Sequence, residues 1–309
     1  MNVLVTGVGG FVGSHLAKAL LKKGYNVVGL TRDHNTRRTL HKLSIDNDVI
    51  LVYGDIIDKD LLKRILTQYK IEMVFHLAGV TIVSSALKTP AEAFKVNCYG
   101  TACLLEACRD VGSVKAMLAT STDKVYGEGL DRIEDSSLDA EGIYENSKVA
   151  MERVVKSFIC SYKMPIVTTR ACNIYGEFDI NRRIVPNTVR DLLANKKPLI
   201  FKNDDSLREY VYVEDVCDAL ILLNENIEKT KGNVFNIGTG DVLGQDELVK
   251  KIIAVSGKNV EPEYVDKPFL VEIHKQSLNN NKLRKMGWKP RYSLEQGLEK
   301  TWNAESSGR

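Results

Sequence analysis

No two cysteines stand as a CxxC pair, no His/Cys cluster has metal-ligand spacing, and no apolar run approaches the roughly 20 residues of a membrane span. Each lack removes a class of protein. Three of the six cysteines (Cys98, Cys103, Cys108, Cys160, Cys172, Cys217) recur every five residues in one helical stretch, where they read as small buried hydrophobes. No metal is expected, and unpaired thiols fit a reducing cytoplasm. The net charge of +3 is too small to argue for nucleic acid or a membrane surface, and it is compatible with an anionic small molecule. No basic segment precedes Val3-Leu4-Val5, so no signal peptide is expected and the location is read as cytoplasmic. Ser306-Ser307-Gly308-Arg309 reads as a flexible tail.

What is present is an ordinary globular composition, 44% hydrophobic and 27% charged, in 309 residues that suffice for one large core or two modest ones. Short β-rich apolar runs at 2–6, 26–31, 49–53, 72–78, 115–120 and 166–171 alternate with helical stretches at 11–23, 59–69, 91–111 and 144–162. Uninterrupted runs of this kind suit strands buried on both faces. The alternation predicts an α/β fold, a Rossmann-type doubly wound parallel sheet with helices on both sides.

After residue 172 the rhythm changes. A loop at 173–184 leads to a helix at 185–195, a short strand at Leu199–Phe201, a helix at 214–227, a strand at 233–237 and a helix at 245–256. We read a dinucleotide-binding core of residues 1–172 with 209–237, and a smaller C-terminal substrate-binding lobe of residues 173–208 and 238–305. The ligand is expected beyond the carboxyl ends of the strands, between the two.

Thr6-Gly7-Val8-Gly9-Gly10-Phe11-Val12-Gly13 sits where the first strand turns into the first helix. Gly7 permits the turn, Gly10 lets backbone approach a pyrophosphate, and Gly13 lets the helix pack on the strand. Free N–H groups at the helix start face the phosphates. The second strand ends Gly29-Leu30-Thr31-Arg32, with no acidic residue for the ribose hydroxyls. Arg32, followed by Arg37 and Arg38, either pairs with a 2′-phosphate, which leans the NAD(P) choice toward NADP, or belongs to a solvated basic loop. In Gly54-Asp55-Ile56, Asp55 is placed to accept from the adenine amino group. Leu77-Ala78-Gly79 leaves room for the cofactor, while His76 reads as a satisfied core residue.

Tyr144 and Lys148, four apart at the start of a predicted helix, share one face. An ammonium beside a phenol is expected to lower the Tyr pKa from about 10 toward neutrality, giving a base for a substrate hydroxyl. Thr122, at the end of the fifth strand, can hydrogen-bond the reacting oxygen. Beside it stand Asp123 and Lys124, either an acid/base pair or a surface ion pair in a turn.

These residues resemble a known family. Thr6–Gly13, His76-Leu77-Ala78-Gly79, Asn97-Cys98-Tyr99-Gly100-Thr101, Tyr144-Glu145-Asn146-Ser147-Lys148, Arg170-Ala171-Cys172-Asn173-Ile174-Tyr175-Gly176 and Arg208-Glu209-Tyr210-Val211-Tyr212-Val213-Glu214-Asp215 are similar to motifs of extended short-chain dehydrogenases acting on nucleotide sugars. The resemblance covers nearly the whole chain. It implies an NAD(P)-dependent enzyme whose cofactor contacts are Gly7, Gly10, Phe11, Val12, Gly13, Arg32, Asp55, Ile56, Leu77, Ala78, Gly79, Asn97, Tyr144 and Lys148. For the nucleotide-diphosphate sugar it implies Asn173, Arg182, Arg183, Val185 and Arg208. It also implies a homodimer, formed by the helices at 91–111 and 144–162.

Within that family Ser121-Thr122-Asp123-Lys124 and Phe178-Asp179-Ile180-Asn181-Arg182-Arg183 look like the CDP-glucose 4,6-dehydratase branch. The catalytic set implied is Thr122, Asp123, Lys124, Tyr144 and Lys148. The expected reaction runs by hydride transfer from C4, loss of water across C5 and C6, and hydride return. A 4-epimerase or a 4-keto-6-deoxyhexose reductase would use the same Tyr144/Lys148 pair and leave Asp123 and Lys124 as bystanders. A non-catalytic NADP-binding sensor is the alternative of another class. Such proteins lose the Tyr or the Lys, and both are present here.

Overall fold

The structure, a computed structural model, describes residues 1–266 and 273–307. In chain order the strands are β1 (Asn2–Thr6), β2 (Asn26–Thr31), β3 (Ile50–Tyr53), β4 (Met73–His76), β5 (Ala116–Thr122), β6 (Gly129–Arg132) and β7 (Ile166–Ala171). They continue as β8 (Asn173–Tyr175), β9 (Leu199–Phe201), β10 (Leu207–Tyr212), β11 (Val234–Ile237), β12 (Val242–Gly244), β13 (Glu263–Val265) and β14 (Lys275–Leu278). Seven make one parallel sheet in the order β11-β7-β5-β4-β1-β2-β3. The chain winds outward from β1 to β3, then returns past β1 to β4. The gap this reversal opens at the carboxyl ends of β1 and β4 is where a ligand fits.

Alternate residues of the central strands feed two cores. Val3, Val5, Phe75, Leu118 and Val167 enter one, and Leu4, Val74, Met117, Ala119 and Ile166 the other. Each fully buried aliphatic side chain contributes about 1.5–3 kcal/mol. Helices Phe11–Lys22 and Val213–Glu225 pack together over one face, and Lys59–Gln68, Thr101–Val111 and Ile143–Tyr162 cover the other. Asp58 caps its helix by accepting from the Leu61 amide at 3.0 Å. Helix Ile143–Tyr162 buries Tyr144, Ser147, Lys148, Met151, Glu152 and Val155, a stripe at three- and four-residue spacing. It stops where Lys163 takes a left-handed φ of 56°.

Three features differ from the sequence reading. The stretch read as one helix over 91–111 is helical at Pro90–Phe94, passes through a π-turn at Lys95–Gly100, and resumes at Thr101–Val111. A second sheet, β12-β10-β14-β6 with β8 beside β10, accompanies the main one. It takes β6 from within residues 1–172 and pairs it with β14, and β10 straddles the boundary drawn at 208/209. Ser306 and Ser307 finish helix Leu294–Ser307 rather than forming a tail. Gly308, Arg309 and residues 267–272 of the lobe lie outside the described residues.

Candidate active site

A cleft of about 1410 Å³ opens over the carboxyl ends of β1, β2, β4, β5 and β7. It exceeds the roughly 1,000 Å³ of a single small-molecule pocket, so it has room for two extended ligands. The glycine turn forms one end. Gly7 has φ +74°, and a Cβ there would press on the Ala78 backbone at 2.9 Å. A Cβ on Gly13 would fall on the Gly7 carbonyl oxygen. Helix Phe11–Lys22 starts at Gly10 with no side-chain cap, leaving its first N–H groups for an anion. Phe11, Val12, Ile56, Leu77, Ala78 and Gly79 line the same end. The cradle fits a dinucleotide pyrophosphate. His76 is bonded at both ring nitrogens, to Thr6 and Thr101 at 2.8 Å each, and burial lowers its pKa to about 3. It is a neutral core residue.

Three assigned cofactor contacts stand differently from expectation. Arg32 lines the cleft, but its guanidinium pairs with Asp55 at 3.2 Å and Glu92 at 3.1 Å, so its charge is already matched. Asp55 is held by that pair, accepts from the Ile57 amide at 3.3 Å, and does not line the cleft. Asn97 does not line it either. The π-turn directs its amide to both backbone groups of Val80 and, at 2.8 Å, to Ser147, so it braces the loop after β4. An acidic residue does stand just past β2, at Asp33. It lines the cleft, one oxygen accepting from the Asn35 amide at 2.8 Å. Its position one residue beyond Arg32 was the available signal.

Thr122, Asp123, Lys124, Tyr144 and Lys148 meet on the cleft floor. Thr122 ends β5 and donates to Asp123 Oδ1 at 3.0 Å, and its hydroxyl acts on the Tyr144 phenol, holding its pKa down. Asp123 Oδ2 is buried without a partner. Burial raises the Asp123 pKa, against the charges of Lys124 and Arg208 and the Thr122 bond. Its carboxyl group therefore holds a proton more readily than usual. The Tyr144 expectation is reversed. Burial, with Asp123 and Glu145 nearby, pushes the phenol above its ordinary range. The Lys148 ammonium instead donates to the Thr120 carbonyl at 2.6 Å, and burial lowers its pKa to about 8.

Asn173, Arg182, Arg183, Val185 and Arg208 line the other end of the cleft. Asn173 donates to the Glu209 carbonyl at 3.1 Å. Arg182 is exposed, whereas Arg183 is tied to Asp179 at 2.9 Å and lies over the Phe11 ring at 5.7 Å. Arg208 donates to the carbonyls of Ile273 and His274, and its charge acts on Asp123. Glu209, not singled out in the sequence, is fully buried. It accepts from the amides of Gly240 at 2.6 Å and Leu278 at 2.8 Å. Burial first, and Asp123 after it, raise its pKa to about 7. It ties β10 to the loop after β11 and to β14, fixing the strand that presents Arg208. Among the described residues no cluster has a metal-ligand set.

Comparison with known proteins agrees with this geometry. The family model described as NAD dependent epimerase/dehydratase family matches residues 3–238. The chain is 32% identical to a dTDP-D-glucose 4,6-dehydratase of Dictyostelium discoideum, over 97% of this chain and 80% of that protein. A UDP-glucose 4-epimerase of Thermotoga maritima, solved with UDP-glucose, superposes with TM-score 0.91 at 29% identity, covering 100% of this chain and 99% of that one. A dTDP-glucose 4,6-dehydratase of Streptomyces venezuelae, solved with NAD bound, gives TM-score 0.89 at 28% identity over 100% and 98%.

Proposed function

Starting from the fact that this chain belongs to the NAD-dependent epimerase/dehydratase family of enzymes, we propose that it is a nucleotide-sugar 4,6-dehydratase. The observation that carries the reading is Asp123, a buried carboxyl group in the cleft with Oδ2 unpartnered and its proton favoured by burial. An epimerase has no use for an acid there, whereas a dehydratase must protonate a departing hydroxyl.

Nicotinamide, when bound, supplies the hydride acceptor for C4 and the hydride donor for C6. The remaining work belongs to the protein. Tyr144, whose phenol must first give up its own proton, a loss that the positive charges of Lys148 and of bound oxidised nicotinamide would favour, takes the C4 hydroxyl proton while Thr122 holds the same oxygen. The resulting ketone acidifies the C5 proton, which Lys124 accepts as the neutral amine, becoming the ammonium. Asp123 protonates the C6 hydroxyl, the C6–O bond breaks, and water leaves with a C5=C6 double bond formed. A proton then returns to C5. Asn173, Arg182 and Arg208 serve the diphosphate, an Arg fork suiting phosphate oxygens. Arg183 closes the seam between the glycine turn and the substrate loop.

We infer that the cofactor is NAD rather than NADP, because Arg32 is engaged by two carboxylates and Asp33 faces the cleft. A carboxylate there accepts ribose hydroxyls and repels a 2′-phosphate. We further propose a homodimer, supported by exposed Phe94 on helix Pro90–Phe94, Tyr99 in the π-turn and Tyr162 at the end of helix Ile143–Tyr162. A cytoplasmic setting suits six cysteines of which none is paired with another.

The catalytic reading is tested by Asp123→Asn. The variant is expected to keep NAD reduction on mixing with substrate and to lose water elimination by about two to four orders of magnitude. Elimination at the parental rate would take the acid's part away from Asp123 and leave it a structural role, whereas a parent enzyme that eliminates no water would favour the epimerase.

A further inference from the structure

Two halves make up the catalytic floor, and they come from different elements. Tyr144 and Lys148 ride on helix Ile143–Tyr162, while Asp123 and Lys124 sit in the 3-10 turn Asp123–Tyr126. For one sugar to meet the acceptor at O4 and the donor at O6, the two must keep a fixed relation to within a fraction of an ångström. Behind the floor one buried guanidinium touches both. Arg170 of β7 donates through Nε to Glu152 Oε1 at 3.0 Å and through Nη2 to Glu152 Oε2 at 2.6 Å. Its Nη1 donates to the Tyr126 hydroxyl at 2.7 Å and the Glu134 carbonyl at 3.0 Å, and the guanidinium lies over the Tyr126 ring.

Glu152 stands one turn beyond Lys148 on the same helix, and Tyr126 closes the turn that holds Asp123. The Tyr126 hydroxyl passes its own hydrogen bond to Asn236 Oδ1 at 2.7 Å, on the neighbouring strand β11. The Arg170 and Glu152 side chains are 5% and 8% exposed, Tyr126 and Asn236 are fully buried, and none of the four lines the cleft. Removing either ion from so dry a pair is costly, and the planar fork is a geometry Lys does not reproduce.

We propose that Arg170, through Glu152 and Tyr126, is the positioning residue that holds the C4 proton acceptor in register with the C6 proton donor. The inference rests on the dehydratase reading for its catalytic consequence. It predicts a particular failure when the link is cut: the two chemical steps fall out of balance, while substrate binding, which uses other residues, survives.

The test uses the whole chain with CDP-glucose, dTDP-glucose and UDP-glucose as probes. Tyr126→Phe removes one hydroxyl and leaves the Arg170–Glu152 pair in place, so folding is preserved. The expected result is a kcat roughly tenfold lower with KM within about twofold. Reduced nicotinamide should also build up in a single turnover, because oxidation at C4 outruns elimination. Arg170→Lys should reproduce the defect rather than rescue it. Parental kcat and parental levels of reduced nicotinamide in Tyr126→Phe would overturn the inference, as would rescue by Arg170→Lys. If the parent enzyme forms no dehydrated product, it is the dehydratase reading that fails. The link itself is then decided by the melting temperatures of Tyr126→Phe, Glu152→Gln and the double variant. A double loss smaller than the sum of the single losses supports a joint through Arg170, and strict additivity overturns it.

Discussion

Burial takes the Lys148 ammonium from 10.5 down to about 8, against the charge of Glu152, a bond to one carbonyl and a Met151 sulfur contact. A depressed folded pKa means that stability present above 10.5 is lost as pH falls through about 8. Near neutral pH the full deficit, about 3 kcal/mol, is in force. Lys148→Met should therefore raise the melting temperature at pH 7 while abolishing turnover. The advantage should fade as pH climbs from about 8 toward 10.5, a course that thermal scans across pH will follow. A variant that melts lower at pH 7 would contradict the assignment. At the rim of the cleft, Asp33 and the engaged Arg32 predict that NAD binds at least about tenfold more tightly than NADP, since an apposed like charge costs several kcal/mol. Titration calorimetry with both dinucleotides measures it, and Asp33→Asn should narrow the ratio. Equal or tighter NADP binding would restore the 2′-phosphate role to Arg32. That Thr122, Asp123, Tyr144 and Lys148 meet in one cleft was legible because motif and strand end coincide. Asp55 and Asn97 were misplaced because the sequence shows which residues follow a strand but not which neighbour their side chains will choose. Burial strength was hidden too, and it reversed the expected direction for Tyr144.

At the scale of elements, the periodic segments were the readable ones. The strands of the main sheet and helices such as Ile143–Tyr162 announce themselves by apolar runs and by a three- and four-residue stripe. The π-turn at Lys95–Gly100 was not readable, since one inserted residue leaves no mark in composition, yet it is what turns Asn97 toward Val80. The second sheet escaped for another reason. β6, β8 and β12 have three or four residues each, and their partners lie far away in sequence, as with β6 and β14. Helix Ile143–Tyr162, helix Pro90–Phe94 and the π-turn after it carry the exposed aromatics Tyr162, Phe94 and Tyr99. Light scattering at micromolar concentration should give twice the chain mass, and replacing Phe94 and Tyr99 by Ser should shift it toward the single-chain value. A single-chain mass for the parent protein would remove the dimer.

Taken whole, the molecule is a parallel sheet whose strand order reverses beside a cleft of about 1410 Å³. The sheet and the place of the cleft were written in the sequence, because strand order follows from alternating βα units and the glycine turn marks the cofactor end. The division into core and lobe was less legible, since β6 crosses from one to the other and β10 lies on the drawn boundary. What distinguishes a dehydratase from an epimerase on this common frame is a local matter, the acid and amine after Thr122. The most direct trial is to incubate the pure protein with a panel of NDP-hexoses and weigh the products by mass spectrometry. The account predicts a product lighter by one water, a 4-keto-6-deoxy sugar, for one nucleotide of the panel. An isomer of unchanged mass would contradict it and make the protein an epimerase.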